Sequence, residues 1–243
     1  MRPGPNGASR GATTASFWKL WFFFTVHNIT WRALPAEFGN WNSVWKRFWR
    51  LSSAGTFEVF FQLLAEQSPT AHLVQFFDST AVRAHVSAAG AKGGSKIRHL
   101  GRSRGGFSTK IHLKTDLEGN PLDFPLTGGE VSDTTQFETF LDLGPDITPR
   151  EAISDKGYDS RANRAAARKR GITPVIPRKV DSKERGRDFP KTLYKLWARI
   201  ERAIGKLKRF KRIALRCDKT VRAYSALTGF ACSIMLVKPV HRA

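Results

Sequence analysis

Apolar residues keep a helical rhythm up to about residue 64 and a strand-like one soon after it. Between Phe17 and Leu64 they recur at spacings of three and four, as at Val44, Phe48 and Leu51, the interval that stacks side chains on one helical face. Pro35, Gly39 and Asn40 interrupt this run with a turn, so two or three short helices are expected. The polar "QSPT" at residues 67–70 marks a boundary. Beyond it, "HLVQFFDST" (72–80) reads as a strand, and "FSTKIHLKTD" and "PLDFPLTG" as two strands joined by the turn "LEGN". "TTQFETFLDL" reads as a helix, "EAIS" as a strand, "SRANRAAARKR" as a helix and "ITPVIP" as a short strand. A polar loop, "RKVDSKERGRD", leads into a long helix over 193–216 with Pro190 near its first turn, and an apolar helix over roughly 221–237 follows.

The order is that of an α/β protein. Residues 1–14, rich in Gly, Pro, Ser and Thr, are expected to be disordered, 15–68 to form a small helical region, and 69–243 to form the α/β domain. A chain of 243 residues with 41% apolar content can bury one substantial core without a metal or disulfide. Cys217 and Cys232 have neither CxxC spacing nor a companion histidine cluster, which excludes a disulfide framework or zinc site and suits a reducing cytoplasm. The apolar "ASFWKLWFFFTV" (15–26) is interrupted by Lys19 and is short of the roughly 20 residues of a membrane helix, so it is read as a buried helix.

Charge turns this fold into a functional question. Lys and Arg outnumber Asp and Glu by 41 to 20, a formal net charge of +21, which points to a polyanionic partner, nucleic acid foremost. The helical region 15–68 is then a candidate for DNA binding or assembly. From Ser79 to Thr115 there are eight bases and no acid, among them Arg83, Arg102 and Arg104 in and around the glycine-rich "KGGSKIRHLGRSRGG", whose cations suit phosphate contact. Between Asp188 and Asp218 ten bases surround a single acid, Glu201.

Three acids stand out against this background. Asp78 ends an apolar strand, and Asp155 follows "EAIS" at the start of the tight turn "DKGYD", both at places where α/β sheets carry function. On a helix, Leu193, Leu196, Ile200 and Leu207 define a buried stripe, with Tyr194, Trp197, Glu201 and Lys208 along its flank. A single Glu on that flank is equally an ion-pair partner for Lys208. Together, three carboxylates in a basic protein suit hard divalent cations, two of which about 4 Å apart can clamp an in-line phosphoryl displacement. His85, His99 and His112 fit no compact ligand spacing and are read as surface or DNA-contacting residues.

These residues carry a resemblance. "FFDSTAVRAH", "GRSRGGFSTKIHLKTDLEGNPLDFPLTGGEVSD", "ISDKGYDS" and "LYKLWARIERAIGKLKRFKRIALRCDKT", with "WRALPAEFGNWNSVWKRFWRLSSAGTFEVF" before them, resemble the DDE transposases of bacterial insertion sequences. The particular likeness is to the family named for insertion sequence five, within the insertion-sequence-four superfamily, and it covers most of 31–240. It implies a ribonuclease H-like core, a mixed sheet flanked by helices. Carried over by motif, it puts the metal-binding catalytic acids at Asp78, Asp155 and Glu201, with magnesium or manganese as cofactor, two ions in all.

The resemblance also implies double-stranded DNA as partner, both the terminal inverted repeats of the element and the target, with a homo-oligomer assembled on it in the bacterial cytoplasm at the nucleoid. Lys208 and Tyr194 would contact the element end, and Lys156 and Arg83 nearby phosphates. Alternatives of the same fold are a metal-dependent nuclease without strand transfer and an inactive remnant that only binds DNA. The family signature runs Tyr, Arg, Glu, Lys, and Trp197 stands where the Arg belongs; an indole cannot replace a guanidinium fork on phosphate. Such transposases also carry a longer N-terminal helical region, so a truncated copy is expected.

Overall fold

The computed structural model describes residues 14–89, 99–103, 105–179 and 189–240. The disorder expected for residues 1–13, most of the glycine-rich basic stretch, Arg104 and most of the polar loop after Lys179 lie outside the described residues. Thr14 already belongs to the first helix, α1 (Thr14–His27). It is followed by α2 (Trp41–Ser53), capped by the Asn40 carboxamide on the N–H of Asn42, and α3 (Thr56–Ala65).

Eight strands among the described residues make one sheet. They are β1 (Val74–Ala84), β2 (Gly101–Ser103), β3 (Gly106–Thr115), β4 (Pro121–Asp123), β5 (Leu126–Gly128), β6 (Glu151–Ser154), β7 (Thr173–Val175) and β8 (Leu215–Arg216). The main order is β2-β3-β1-β6-β7, with β4 and β5 also on β3 and β8 on the end of β1. β3 runs antiparallel to β1, whereas β6 and β7 run parallel to it. A meander from β1 through β3 to β4 and β5, fused to a parallel β6–β7 extension on the other side of β1, is the ribonuclease H-like arrangement.

Several elements differ from the sequence expectation. "PLDFPLTG" is two strands: Pro125 has no N–H for the ladder, and its carbonyl instead accepts the N–H of His112 at 3.0 Å. The long helix over 193–216 is broken. Lys191–Tyr194 and Lys195–Trp197 are single turns, α6 proper is Ala198–Lys208, and Phe210 takes an extended backbone (φ −76°, ψ 99°) from which a last turn, Lys211–Ala214, leads into β8. Before it, α4 (Phe137–Asp142) follows a 3-10 turn and α5 (Arg161–Lys169) begins with the Ser160 hydroxyl capping the N–H of Asn163. The closing helix α7 (Val221–Val240) runs three residues beyond the expected end.

The sheet is covered on both faces. Phe77 packs with Phe137, Phe140, Tyr158 and Ala167 on the α4–α5 side. On the other side one continuous core joins Trp21 and Phe24 of α1, Phe48 of α2, Phe57 and Phe61 of α3, Phe76 and Leu113 of the sheet, Ile200 and Leu207 of α6, and Phe230 of α7. At about 1.5–3 kcal/mol for each large apolar side chain buried, the helices before residue 68 share their stabilisation with the domain after it. Arg212, buried between them, pairs with Asp218 at 2.9 Å and donates to the Ile29 carbonyl at 2.7 Å. None of the described helices is long and apolar enough to cross a membrane. Cys232 is buried, Cys217 is half-buried, and both are free thiols.

Candidate active site

The register of the central strands sets the site. β1 and β6 pair in parallel from Val74 with Glu151 to Phe77 with Ser154. Asp78 and Asp155 are therefore the next residues on two neighbouring strands, which lie about 4.8 Å apart. Asp78 does not end its strand, as expected from sequence; β3 keeps pairing with β1 from Asp78 with Leu113 to Arg83 with Ser108, which carries β1 on to Ala84. Asp78 stands where the parallel ladder stops and the antiparallel one continues, so it opens to the crevice beyond the end of β6.

Local hydrogen bonds hold both aspartates. Asp155 caps the 3-10 turn Lys156–Tyr158 by accepting the N–H of Gly157 at 2.8 Å. A β-carbon at residue 157 would stand 2.9 Å from that same carboxylate oxygen, which is why glycine follows here. The far side of the loop is tied down by Asp159, paired with Arg164 at 2.7 Å. Asp78 accepts the backbone N–H of Ser79 at 2.7 Å.

Glu201 comes from α6, which lies across β1 and β3. Ile200, Ala203 and Leu207 bury one face of this helix, leaving Glu201 exposed on the adjoining flank. The start of α6 is pinned to the β3–β4 turn: Arg199 donates to the Leu117 carbonyl at 2.6 Å. In that turn Gly119 has φ +82°, and an added β-carbon would meet the Arg199 carbonyl oxygen at 2.9 Å, so only glycine permits this close approach. The half-buried Tyr194 ring lies against Trp197, centroids 5.8 Å apart and planes at 11°.

The acids share one electrostatic field. Burial pushes the Asp78 carboxyl up to about 7, against the Ser79 N–H that favours the charged form, and the charges of Asp155, Asp133 and Glu201 raise it further. Asp155 is raised by burial and then by Asp133, while Lys156 works the other way. The phenol of Tyr194 is raised by burial and by the charges of Asp155, Glu201 and Asp78. Tyr158, wholly buried, is raised well above its ordinary value by burial and by Asp133, Asp78 and Asp155.

Asp133 is the member that sequence reasoning missed. It follows the "GGEVS" turn after β5, accepts the Ser79 hydroxyl at 2.7 Å and pairs with Lys110 at 3.0 Å. His112 lies beneath it, Nδ1 at 3.9 Å, fully buried, with its pKa lowered by burial to about 4. It is therefore no surface residue, as the sequence suggested. Asp133 is one of eight acids in a stretch, residues 115–149, without a Lys or Arg, so only its place after a glycine-containing turn set it apart.

The other expected DNA contacts divide. Lys156 is exposed beside Asp155, and Lys208 is exposed two turns along α6 from Glu201, roughly 10 Å away. Arg83, five residues past Asp78 on β1, is roughly 16 Å from it along the strand. Arg102, exposed over the Phe107 ring at 5.9 Å, belongs to the same distant end of the sheet, since Arg102 pairs with Phe107 and Ser108 with Arg83.

Among the described residues no three His, Cys, Asp or Glu side chains close into a metal cage. The donors that share the crevice are carboxylate oxygens; burial holds Asp78 near 7, and their mutual repulsion adds to it. An open, all-oxygen set with an electrostatic demand for positive charge fits a hard divalent cation that keeps part of its water.

Residues 69–236 match the transposase DDE domain family, and the chain belongs to that family. A Burkholderia cepacia protein named as a transposase for insertion sequence element IS402 is 34% identical over 144 residues, covering 56% of this chain and 65% of its own length. A Brucella ovis protein named as a transposase for IS6501 is 31% identical over 134 residues, 54% of this chain and 100% of its own length. This chain thus spans just under two thirds of the first. Among solved structures, the catalytic domain of Mos1 mariner transposase is 11% identical, with a TM-score of 0.30 over 79% of this chain and 93% of that one. The Mos1 strand transfer complex is 11% identical, TM-score 0.31, over 98% and 81%.

Proposed function

We propose that this protein is an insertion-sequence transposase that cleaves DNA at the ends of its element and joins the freed ends to target DNA. Asp78, Asp155 and Glu201 are its catalytic acids, and the finer placement is within the family named for insertion sequence five. The observation that carries the reading is the adjacency of Asp78 and Asp155 where the β1–β6 ladder ends, with Glu201 in the same field. Magnesium or manganese held by these carboxylates would supply the Lewis acidity that phosphodiester hydrolysis and transesterification require.

The protein's own groups do the rest. The three acids fix the donor geometry, with Asp155 locked by its cap on Gly157 and Asp78 by Ser79. Lys156 lies exposed beside Asp155 and Lys208 exposed two turns along α6 from Glu201, and contacts from them and from Tyr194 orient a phosphate backbone at the crevice. Arg83 and Arg102 extend that track along the sheet. DNA is bound by a homo-oligomer at the nucleoid.

One observation favours a weakened copy. Trp197 fills the signature Arg place and stacks on Tyr194, and the nearby Arg199 is engaged with Leu117, so it does not supply the absent guanidinium.

The test is a nicking assay on DNA carrying the terminal inverted repeats, with Mg²⁺ or Mn²⁺. Glu201→Gln, Asp78→Asn and Asp155→Asn should each abolish nicking and joining while leaving DNA binding intact; equal nicking by Glu201→Gln removes Glu201 from the site. Nicking without insertion of a labelled end into a plasmid leaves a nuclease, and binding without nicking a remnant.

A further inference from the structure

Helix α2 carries three parallel stripes. Val44, Phe48 and Ser52 are buried against the core. One residue further round, Trp41, Trp45 and Trp49 form a second stripe whose rings are left 36%, 38% and 50% exposed. Beyond that, Asn42, Lys46 and Arg50 form a third stripe, polar and exposed. The apolar face of α2 is thus wider than its packing uses, and a contiguous run of exposed large rings marks an interaction surface.

Cations frame these rings. Arg32 lies over Trp41 and Arg222 over Trp49, each 5.6 Å from the ring centroid. Trp45 stands between two hollows, one of about 530 Å³ beside Trp41 and Arg32 and one of about 810 Å³ reaching Trp49, Lys219 and Arg222. Among the described residues that line them the one acid is Asp218, already closed in a two-pronged pair with Arg212 at 2.9 and 3.2 Å. The face is aromatic and positively charged, so its complement is anionic with flat, stackable groups.

Spacing selects among nucleic acids. Successive tryptophans are about 6 Å apart along the helix, four residues at roughly 1.5 Å each, nearly twice the roughly 3.4 Å between stacked base pairs of a duplex. Duplex bases cover one another's faces and cannot offer them to these rings, whereas a strand with unstacked bases can.

We propose that the Trp41–Trp45–Trp49 face of α2 is a binding site for single-stranded DNA, stacking bases on the rings with phosphates against Lys46, Arg50, Lys219 and Arg222. The three tryptophans lie outside residues 69–236 that match the family, Lys219 and Arg222 inside them, and the face uses none of the carboxylate crevice. It rests on the proposed DNA chemistry only for the partner being DNA; staggered cuts in the two strands would present such a strand as an unpaired overhang.

The experiment is equilibrium binding of the full chain to fluorescein-labelled oligothymidine and to a duplex of equal length. It is run in EDTA at fixed salt, by anisotropy and by quenching of tryptophan fluorescence. Oligothymidine should quench the protein, and Trp45→Ala and Trp49→Ala should each weaken its binding about tenfold, the loss of one stacked base. Duplex binding should stay within about twofold, and Trp45→Phe should keep most single-strand affinity. Arg222→Gln, on a separate helix, gives the same selective loss and covers the case of an unfolded tryptophan variant.

Equal losses for both probes, or none, overturn the proposal. So does a wild-type dimer that sediments as a monomer after Trp45→Ala, which would make the face a contact between copies. Because nothing is cut in this assay, a protein that binds as expected but never nicks DNA refutes the proposed catalysis and leaves this site standing, and the reverse result does the opposite.

Discussion

Ser79 donates its hydroxyl to Asp133 at 2.7 Å and its backbone N–H to Asp78, also at 2.7 Å, so one residue ties a proposed catalytic acid to a fourth carboxylate. Lys110, whose side chain is only 14% exposed, donates to the same Asp133 oxygen at 3.0 Å. Asp133→Ala takes the carboxylate from this cation and leaves it only the Val131 carbonyl at 2.7 Å, which should cost about 1–3 kcal/mol in urea denaturation. It also withdraws a like charge, so the Asp78 pKa should fall, although burial, the larger cause, remains. A carboxyl NMR titration of Asp78 that does not move would show that Asp133 plays no part in the field.

Asp78 makes stability depend on pH. Its folded value of about 7 lies above the roughly 3.9 of an unfolded aspartate. Between these values the folded chain binds the proton that the unfolded chain has released, so stability falls as pH rises through the window. Asp78→Asn should therefore be more stable than wild type at about pH 8, by about 2 kcal/mol, and the two should converge towards pH 4. Millimolar Mg²⁺ or Mn²⁺ should raise the wild-type melting temperature and leave that of the variant alone. A wild type that is the more stable at pH 8 without metal contradicts the assignment.

Gly157→Ala tests the geometry around Asp155 without touching an acid. The added carbon meets the carboxylate at 2.9 Å and must turn it off its cap. The loss of that cap should cost about 1 kcal/mol, whereas nicking should fall at least about tenfold, since small displacements of a reacting group are amplified in rate. Full nicking by this variant would mean that the Asp155 cap is not needed.

How far the site could be read from sequence follows from how local each signal is. Asp155 was legible because a strand, a cap and a glycine follow one another within a few residues. Asp78 was found but set at a strand end, since periodicity records burial and says nothing of the second partner, β3, that carries β1 on. Asp133 was not legible: Ser79 and Lys110 are 54 and 23 residues away in sequence, and only the fold brings them together. Lys114 is a similar case, 1% exposed inside the sheet because its ammonium finds the Phe140 and Leu143 carbonyls at the end of α4. The break at Phe210 was masked by basic residues that keep their helical rhythm straight through it.

Trp197→Arg asks whether the stacked pair with Tyr194 is a lesion. The ring is only partly buried, so exchanging it should change stability by about 1 kcal/mol or less. A guanidinium on that flank of α6 should tighten binding to element ends and raise nicking several-fold. Binding unchanged by the substitution would make the stacked pair a working part of this protein.

The shared core also sets the order in which the proposed site can be assembled. α3 packs chiefly against α7, the first part of the chain against the last, and the acids at 78, 155 and 201 lie between them in sequence. As a chain leaves the ribosome, the helices before residue 68 can meet the sheet first, but they lack a large part of their apolar cover until residues 221–240 are made. All three acids are then already outside the tunnel or about to leave it, yet the scaffold that aligns them is unfinished. An interrupted translation product thereby lacks the last part of the scaffold on which the three acids are aligned.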